Sequence, residues 1–291
     1  IILFMIVIVL LTLEYLGRRS RKFHEKYSGA SNTPTQTVSG FKNISLFIIC
    51  LIPLSLGFII PVSILLSFII KGYSIINFYE ISQITISSLS LAFIASLLIM
   101  LLSLIMIVVG TYKSNNFQKI LIFFASSGYA FPGTILAVGI VVFVGWLNDL
   151  IYFRMSYAVG GFIILLFAYS IRFLAVGNGA ITSGISRIHP NLLDASRTMG
   201  VSFFKSIRKI ILPLLYTNLL VGGILVFVDI LKELPITLLL RPFNFETLAT
   251  YVYQYASDEM LEESAFAALI IVIAGLGPVI FLNRTITKSI K

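Results

Sequence analysis

Few side chains in this sequence can do chemistry, and they gather in three places. Asp229, Lys232 and Glu233 stand at spacings of three and four, which on a helix is one face. They follow a long apolar run. Charge beside such a run is costly unless it is paired or faces a cavity, so Asp229 with Lys232 reads as a local pair and all three as gate candidates. Residues 241–263 carry Tyr251, Tyr253 and Tyr255, then Asp258, Glu259, Glu262 and Glu263. Phenolate and carboxylate oxygens are hard donors suited to hard metal ions. Tyrosines are also ordinary anchors at a membrane interface, and a short interfacial helix with Leu248, Tyr251 and Tyr255 on one face is expected. The third place is residues 194–215, DASRTMGVSFFKSIRKIILPLL, a charged and small-residue segment set between apolar stretches.

Other chemistries are excluded by what these groups lack. Cys50 is the sole cysteine, so it forms no internal disulfide, and His24 and His189 lie far apart; a zinc site is not expected. There is no G-x-x-x-x-G-K-[ST] phosphate loop and no nucleophile–base arrangement. The chain is not expected to be an enzyme or to hold a cofactor of its own.

The elements that must position these residues are membrane helices. Hydrophobic residues make up 58% of the 291 and charged residues 11%, with a mean hydropathy of +1.02; a soluble domain carries about 25% charged residues. A spanning helix needs about 20 apolar residues. Six complete candidates follow: 44–70, 84–110, 120–146, 157–176, 210–232 and 264–282. The runs are continuous rather than alternating, so the fold class is all-α and polytopic, not a β-barrel. Residues 1–16 read as the tail of a preceding membrane helix in a longer chain. Residues 17–43 read as a basic cytoplasmic linker with Ser, Thr, Gly and Pro at 28–40. Residues 44–284 form one membrane unit with a cytoplasmic loop at 185–209, and 285–291 a cytoplasmic tail.

The net charge of +9 could suggest nucleic acid, but its distribution points to the bilayer. Arg18, Arg19, Arg21, Lys22, Lys26 and Lys42 precede the first complete span. Lys113 and Lys119, then Arg187, Arg197, Lys205, Arg208 and Lys209, and finally Arg284, Lys288 and Lys291 fall on that same side. Lys71, Arg154, Lys232 and Arg241 fall opposite, with most of the carboxylates. The basic side is the cytoplasm, and Arg172 is expected near an inner span end.

The segment 188–199 is expected to be a helix on the cytoplasmic side. Pro190 suits a first turn, Asp194 its positive end, and Gly200 its stop. Leu192, Ala195, Ser196 and Met199 form a narrow stripe. That stripe suits either docking to a cytoplasmic partner or lying on the membrane surface. Pro213 frees the carbonyl of Lys209 early in the next span. Pro132 and Gly133 can open the helix ladder beside a transport path, or simply kink it.

The spacing Asp194-Ala195-Ser196, Gly200, Ile210, Leu212-Pro213 resembles the EAA loop of binding-protein-dependent ABC importer permeases. That loop has Glu-Ala-Ala, a glycine four positions later and Ile-x-Leu-Pro ten further on, before the penultimate span. Asp194 replaces the glutamate and Ser196 the second alanine; charge and small size are kept. The segments AFPGTILAVGI (130–140) and DILKELPITLLLRPFNFETLATYVY (229–253) resemble the ferric-iron branch, with thiamine permeases as near relatives. The resemblance covers roughly residues 44–284. It implies a type I importer transmembrane domain in a bacterial inner membrane, often one half of a two-unit permease. It also implies a coupling helix carrying Leu192, Asp194, Ala195, Ser196, Met199 and Gly200, with Pro213 behind it, seated on a cytoplasmic ATPase dimer that binds the ATP. The implied partners are an extracytoplasmic substrate-binding protein and a second permease unit. Pro132, Gly133, Asp229, Lys232 and Glu233 would line the path or gate. An ion-driven secondary transporter would need ionisable residues deep in the spans, and a non-transporting scaffold would make the loop pattern a coincidence.

Overall fold

A computed structural model describes residues 41–74, 76–112, 115–151, 157–189 and 191–289, without the side chains of 41–43, 150–151, 157–160, 193 and 281–289. The expected preceding helix at 1–16 and linker residues 17–40 lie outside the described residues, as do Lys113, Arg154 and Pro190. Among the described residues there is no strand. The chain divides into two compact units, Ile1–Ile64 and Leu65–Lys291.

In the first unit, α1 (Phe41–Leu54) runs into a π-helical turn, Ser55–Ile59, and then the first residues of α2 (Ile60–Lys71), which from Leu65 belongs to the second unit. Pro61 has no N–H and its ring crowds the carbonyl of Gly57. The ladder widens just before it, with the Ile60 N–H reaching Ser55 O. Ile44, Phe47, Ile49 and Leu56 are exposed, as suits a surface solvated by lipid.

The second unit is built on α3 (Phe78–Tyr112), α6 (Tyr157–Ile185) and α9 (Leu212–Leu231), which pack on one another. Lipid tails are as apolar as leucine, so close approach of helices depends on small residues. A side chain at Gly177 would strike Ser103 Oγ at 2.4 Å, and one at Gly222 would strike Ala180 Cβ at 2.7 Å. Around these contacts Ala92, Ile99, Leu165, Tyr169, Ile181, Leu215 and Val226 form the buried core.

Two expected spans take a different form. The run 120–146 is not one rod: α4 (Asn116–Ser126), a 3-10 turn at Gly128–Ala130 and α5 (Gly133–Ile151) turn through 119° at a break. Pro132 supplies no N–H there, and its carbonyl accepts from Leu136 N at 3.1 Å, opening α5. The expected span 157–176 is one long helix to Ile185, because its glycine and asparagine residues pack rather than turn. Asn178 is buried and donates to Ser126 Oγ at 3.0 Å. Arg172 is therefore mid-span rather than near an inner end.

Beyond α9, α10 (Pro235–Leu240) leads to α11 (Leu248–Ser257) and α12 (Leu261–Ser289). The short helix expected in the outer loop is α11. Leu248 and Tyr251 are buried, and the Tyr251 and Tyr255 rings lie 4.5 Å apart. Burial, with the neighbouring Tyr255 hydroxyl, raises the Tyr251 phenol above its ordinary range, which ill suits a metal-binding phenolate. Thr247 caps α11 by accepting from Thr250 N at 3.3 Å, and Leu248 N donates to Ser88 Oγ of α3 at 2.7 Å. Thr247→Ala is expected to cost about 1 kcal/mol, read as a lowered thermal midpoint in detergent.

Candidate functional site

Two helix breaks meet at the middle of α6. The first is the Phe131–Pro132 break between α4 and α5. The second, at Lys232–Leu234, separates α9 from α10, where Lys232 leaves helical geometry and Pro235 opens the next helix. Arg172 lies between them. Its Nε stands 3.4 Å from Glu233 Oε2, and its Nη1 is 3.5 Å from Phe131 O. Glu233 is 7% exposed; its Oε1 accepts from Ile236 N at 3.3 Å, and its carbonyl accepts from the Thr237 hydroxyl at 2.6 Å. That hydroxyl also bonds Tyr169 of α6. Glu233 thus ends one helix, caps the next and neutralises a mid-span cation.

Glycines make this approach possible. A Cβ on Gly133 would lie 2.5 Å from Arg172 Nη1 and 2.9 Å from Glu233 Oε1. A Cβ on Gly128 would lie 1.9 Å from the carbonyl oxygen of Ile171. The 3-10 turn is pressed onto the backbone of α6.

Asp229 and Lys232 pair as their spacing suggested, at 2.9 Å. Of the three gate candidates, then, Glu233 takes a partner the spacing did not reveal. Pro132 and Gly133 stand at the same junction as Glu233.

The segment expected on the cytoplasmic side is a helix shorter than expected, α7 (Asn191–Thr198). His189 precedes it, its Nδ1 accepting from Asn191 N at 3.3 Å. At the other end Gly200 takes φ +75°, its N–H bonds Arg197 O at 2.9 Å and the Val201 N–H bonds Ser196 O at 3.1 Å. These two bonds form a Schellman closure, which satisfies carbonyls a helix end leaves orphaned. The expected stripe is split. Ser196 is buried, sharing a 2.7 Å hydrogen bond with Ser206 of α8 (Phe203–Ser206), and so fastens α7 to the protein. Leu192 is half-buried, while Asp194, Ala195 and Met199 are exposed, Met199 at 74%. Phe204 is exposed beside them, and Asp194 holds Arg197 at 3.3 Å. A cleft of about 410 Å³, lined by Asp194 and Arg197, lies between α7 and the C-terminal ends of α3 and α6.

Behind α8 the chain repeats the device seen at Pro61. A π-helical turn, Ile207–Ile211, stands before Pro213, and the Leu212 N–H reaches Ile207 O. The carbonyl of Lys209, which Pro213 cannot serve, lies inside this widened turn.

The family model for binding-protein-dependent transport system inner membrane components matches residues 107–291, the stretch holding both helix breaks and α7. The chain belongs to that family. Like other such inner membrane components it is a multi-pass membrane protein: among the described residues five helices are long and apolar enough to cross, or six counting the bent pair as one. Over 236 residues it is 25% identical to the Fe(3+)-transport system permease protein FbpB 2 of Haemophilus influenzae, a match covering 79% of this chain and 44% of that protein. The chain therefore spans under half the length of that relative. Its fold is similar to a bacterial ABC transporter involved in the import of the acidic polysaccharide alginate, with TM-score 0.64, 14% identity and coverage of 86% of this chain and 96% of the other. It is also similar to the MetNI methionine ABC transporter in inward-facing conformations, with TM-score 0.51, 14% identity and coverage of 71% and 96%.

Proposed function

We propose that this chain is the membrane-crossing permease subunit of an ATP-driven importer whose cargo is ferric iron delivered by an external binding protein. A cytoplasmic ATPase dimer binds the ATP and drives the spans through α7, and a second permease unit completes the path. The observation that carries the coupling is the outward face of α7. Asp194, Ala195 and Met199 are exposed on a helix that is fastened by Ser196 and closed at Gly200. The short side chain of Ala195 lets another surface approach closely, while Met199 and Phe204 offer it apolar contact. The π turn and Pro213 join this helix to α9, which ends at the junction with Arg172.

A cysteine at Ala195 or Met199 is expected to crosslink to the partner ATPase. One at Ser196, which is 1% exposed, is expected not to; strong crosslinking from Ser196→Cys with none from Met199→Cys would reverse the docking face. The similarity to the Haemophilus influenzae ferric permease supports the cargo. Uptake of radiolabelled ferric iron and of thiamine into liposomes holding the full chain and its partners tests it. Iron uptake is the expected result, and uptake of thiamine without iron would overturn the choice.

A further inference from the structure

We propose that Glu233 is a cargo-binding carboxylate of the transport path, and that Arg172 is its resident counter-ion, released when the two helix breaks part. The proposal rests on the ferric reading above for the identity of the cargo. Its basis is how loosely this pair is made. A guanidinium presents a fork of N–H donors, and strong charge-assisted bonds to carboxylates run about 2.7–2.9 Å. Here Nε and Oε2 are 3.4 Å apart, Nε makes no hydrogen bond among the described residues, and Nη1 reaches Phe131 O only at 3.5 Å. The same molecule shows what a fastening arginine looks like. Arg241 Nη1 bonds Glu246 Oε1 at 2.9 Å, with Phe245 O and Thr250 Oγ1 each at 3.3 Å. Arg172 neutralises Glu233 without locking onto it, so separating them sacrifices little hydrogen bonding.

The surroundings fit an exchange. Asp229 lies four residues before Glu233, in the last turn of α9, and its counter-ion Lys232 is 63% exposed. An arriving cation meets two carboxylates, each holding a basic group that can leave, and the empty site carries no net charge. Carboxylate oxygens are hard donors, matched to a small trivalent ion. A released guanidinium has aromatic faces close by, with Arg172 Cζ already 5.9 Å from the Tyr129 ring centre and 5.8 Å from that of Phe173.

The test uses the full chain with its ATPase and binding protein in liposomes. Uptake of ferric ion and of redox-inert gallium(III) is measured per ATP hydrolysed, which removes differences in assembled protein. Glu233→Gln keeps an oxygen for the Ile236 N–H but loses the charge, and is expected to lower uptake of both ions by at least about ten-fold. Gly139→Ala, on α5 with open space around it, serves as the control and is expected to stay within about two-fold of the parent. Parental uptake per ATP in Glu233→Gln would overturn the proposal. Should that variant fail to assemble, Glu233→Asp is expected to raise the half-saturating cargo concentration about five-fold at unchanged ATP turnover, and an unchanged value would overturn it. A parent that takes up neither ion while its ATPase answers another solute contradicts the ferric reading instead.

Discussion

Gly128→Ala is expected to leave little folded protein in the membrane. The added methyl would sit 1.9 Å from the Ile171 carbonyl oxygen and 2.8 Å from its carbon. Both are backbone atoms of a long helix, so neither can swing aside as a side-chain tip could. Overpacking a tight site costs about 1–3 kcal/mol and occasionally more; a backbone-on-backbone collision belongs at the upper end. The contrast is Gly139, on α5 in open space, where alanine is expected to be neutral or to gain up to about 1 kcal/mol of helix propensity. Thermal midpoints and yields of monodisperse protein in mild detergent separate the two. A parental midpoint for Gly128→Ala would show that the turn does not press on α6.

The second large effect is a single truncation of the buried pair. Glu233→Leu strands Arg172 at mid-span, and removing one partner of a buried pair costs about 3–5 kcal/mol. Removing both charges together, as in Arg172→Met with Glu233→Gln, leaves no uncompensated charge and is expected to recover most of that loss. The same detergent melts read the comparison. Equal losses in the single and double variants would mean that the shape of these side chains matters and their pairing does not.

Much of this was legible in the residues, and what was not has identifiable causes. Runs of apolar residues located the spans because lipid admits no other spanning element here, and the EAA-like spacing located α7 and its glycine stop. Hydropathy has no term for direction, so the 119° turn inside 120–146 was invisible even though Pro132 and Gly133 marked its place. Residues 177–186, rich in Gly, Asn and Ser, resemble a loop; in the fold they are the close-packed stretch of α6, with Gly177 on Ser103 and Gly184 on Leu215 and Asn218. Ending that helix early hid the depth of Arg172. With the helix read to Ile185, the pair follows by subtraction. A mid-span arginine needs an acid, Asp229 already holds Lys232, and Glu233 is left over. The burial of Ser196 was hidden for a different reason. On a helix of eight residues a stripe cannot say which neighbour it faces, and here one member is used to fasten the helix.

Coupling of α7 to another subunit's ATP is the central claim, and Gly200 gives it the most direct test. At φ +75° a β-branched residue is strained while asparagine is tolerated, and open space around the position limits the effect to the shape of the turn. The measurement is cargo-stimulated ATPase activity of the reconstituted complex. Gly200→Val is expected to lower the stimulation at least about five-fold, with Gly200→Asn within about two-fold of the parent. Full stimulation in Gly200→Val, at parental amounts of assembled complex, would contradict the account.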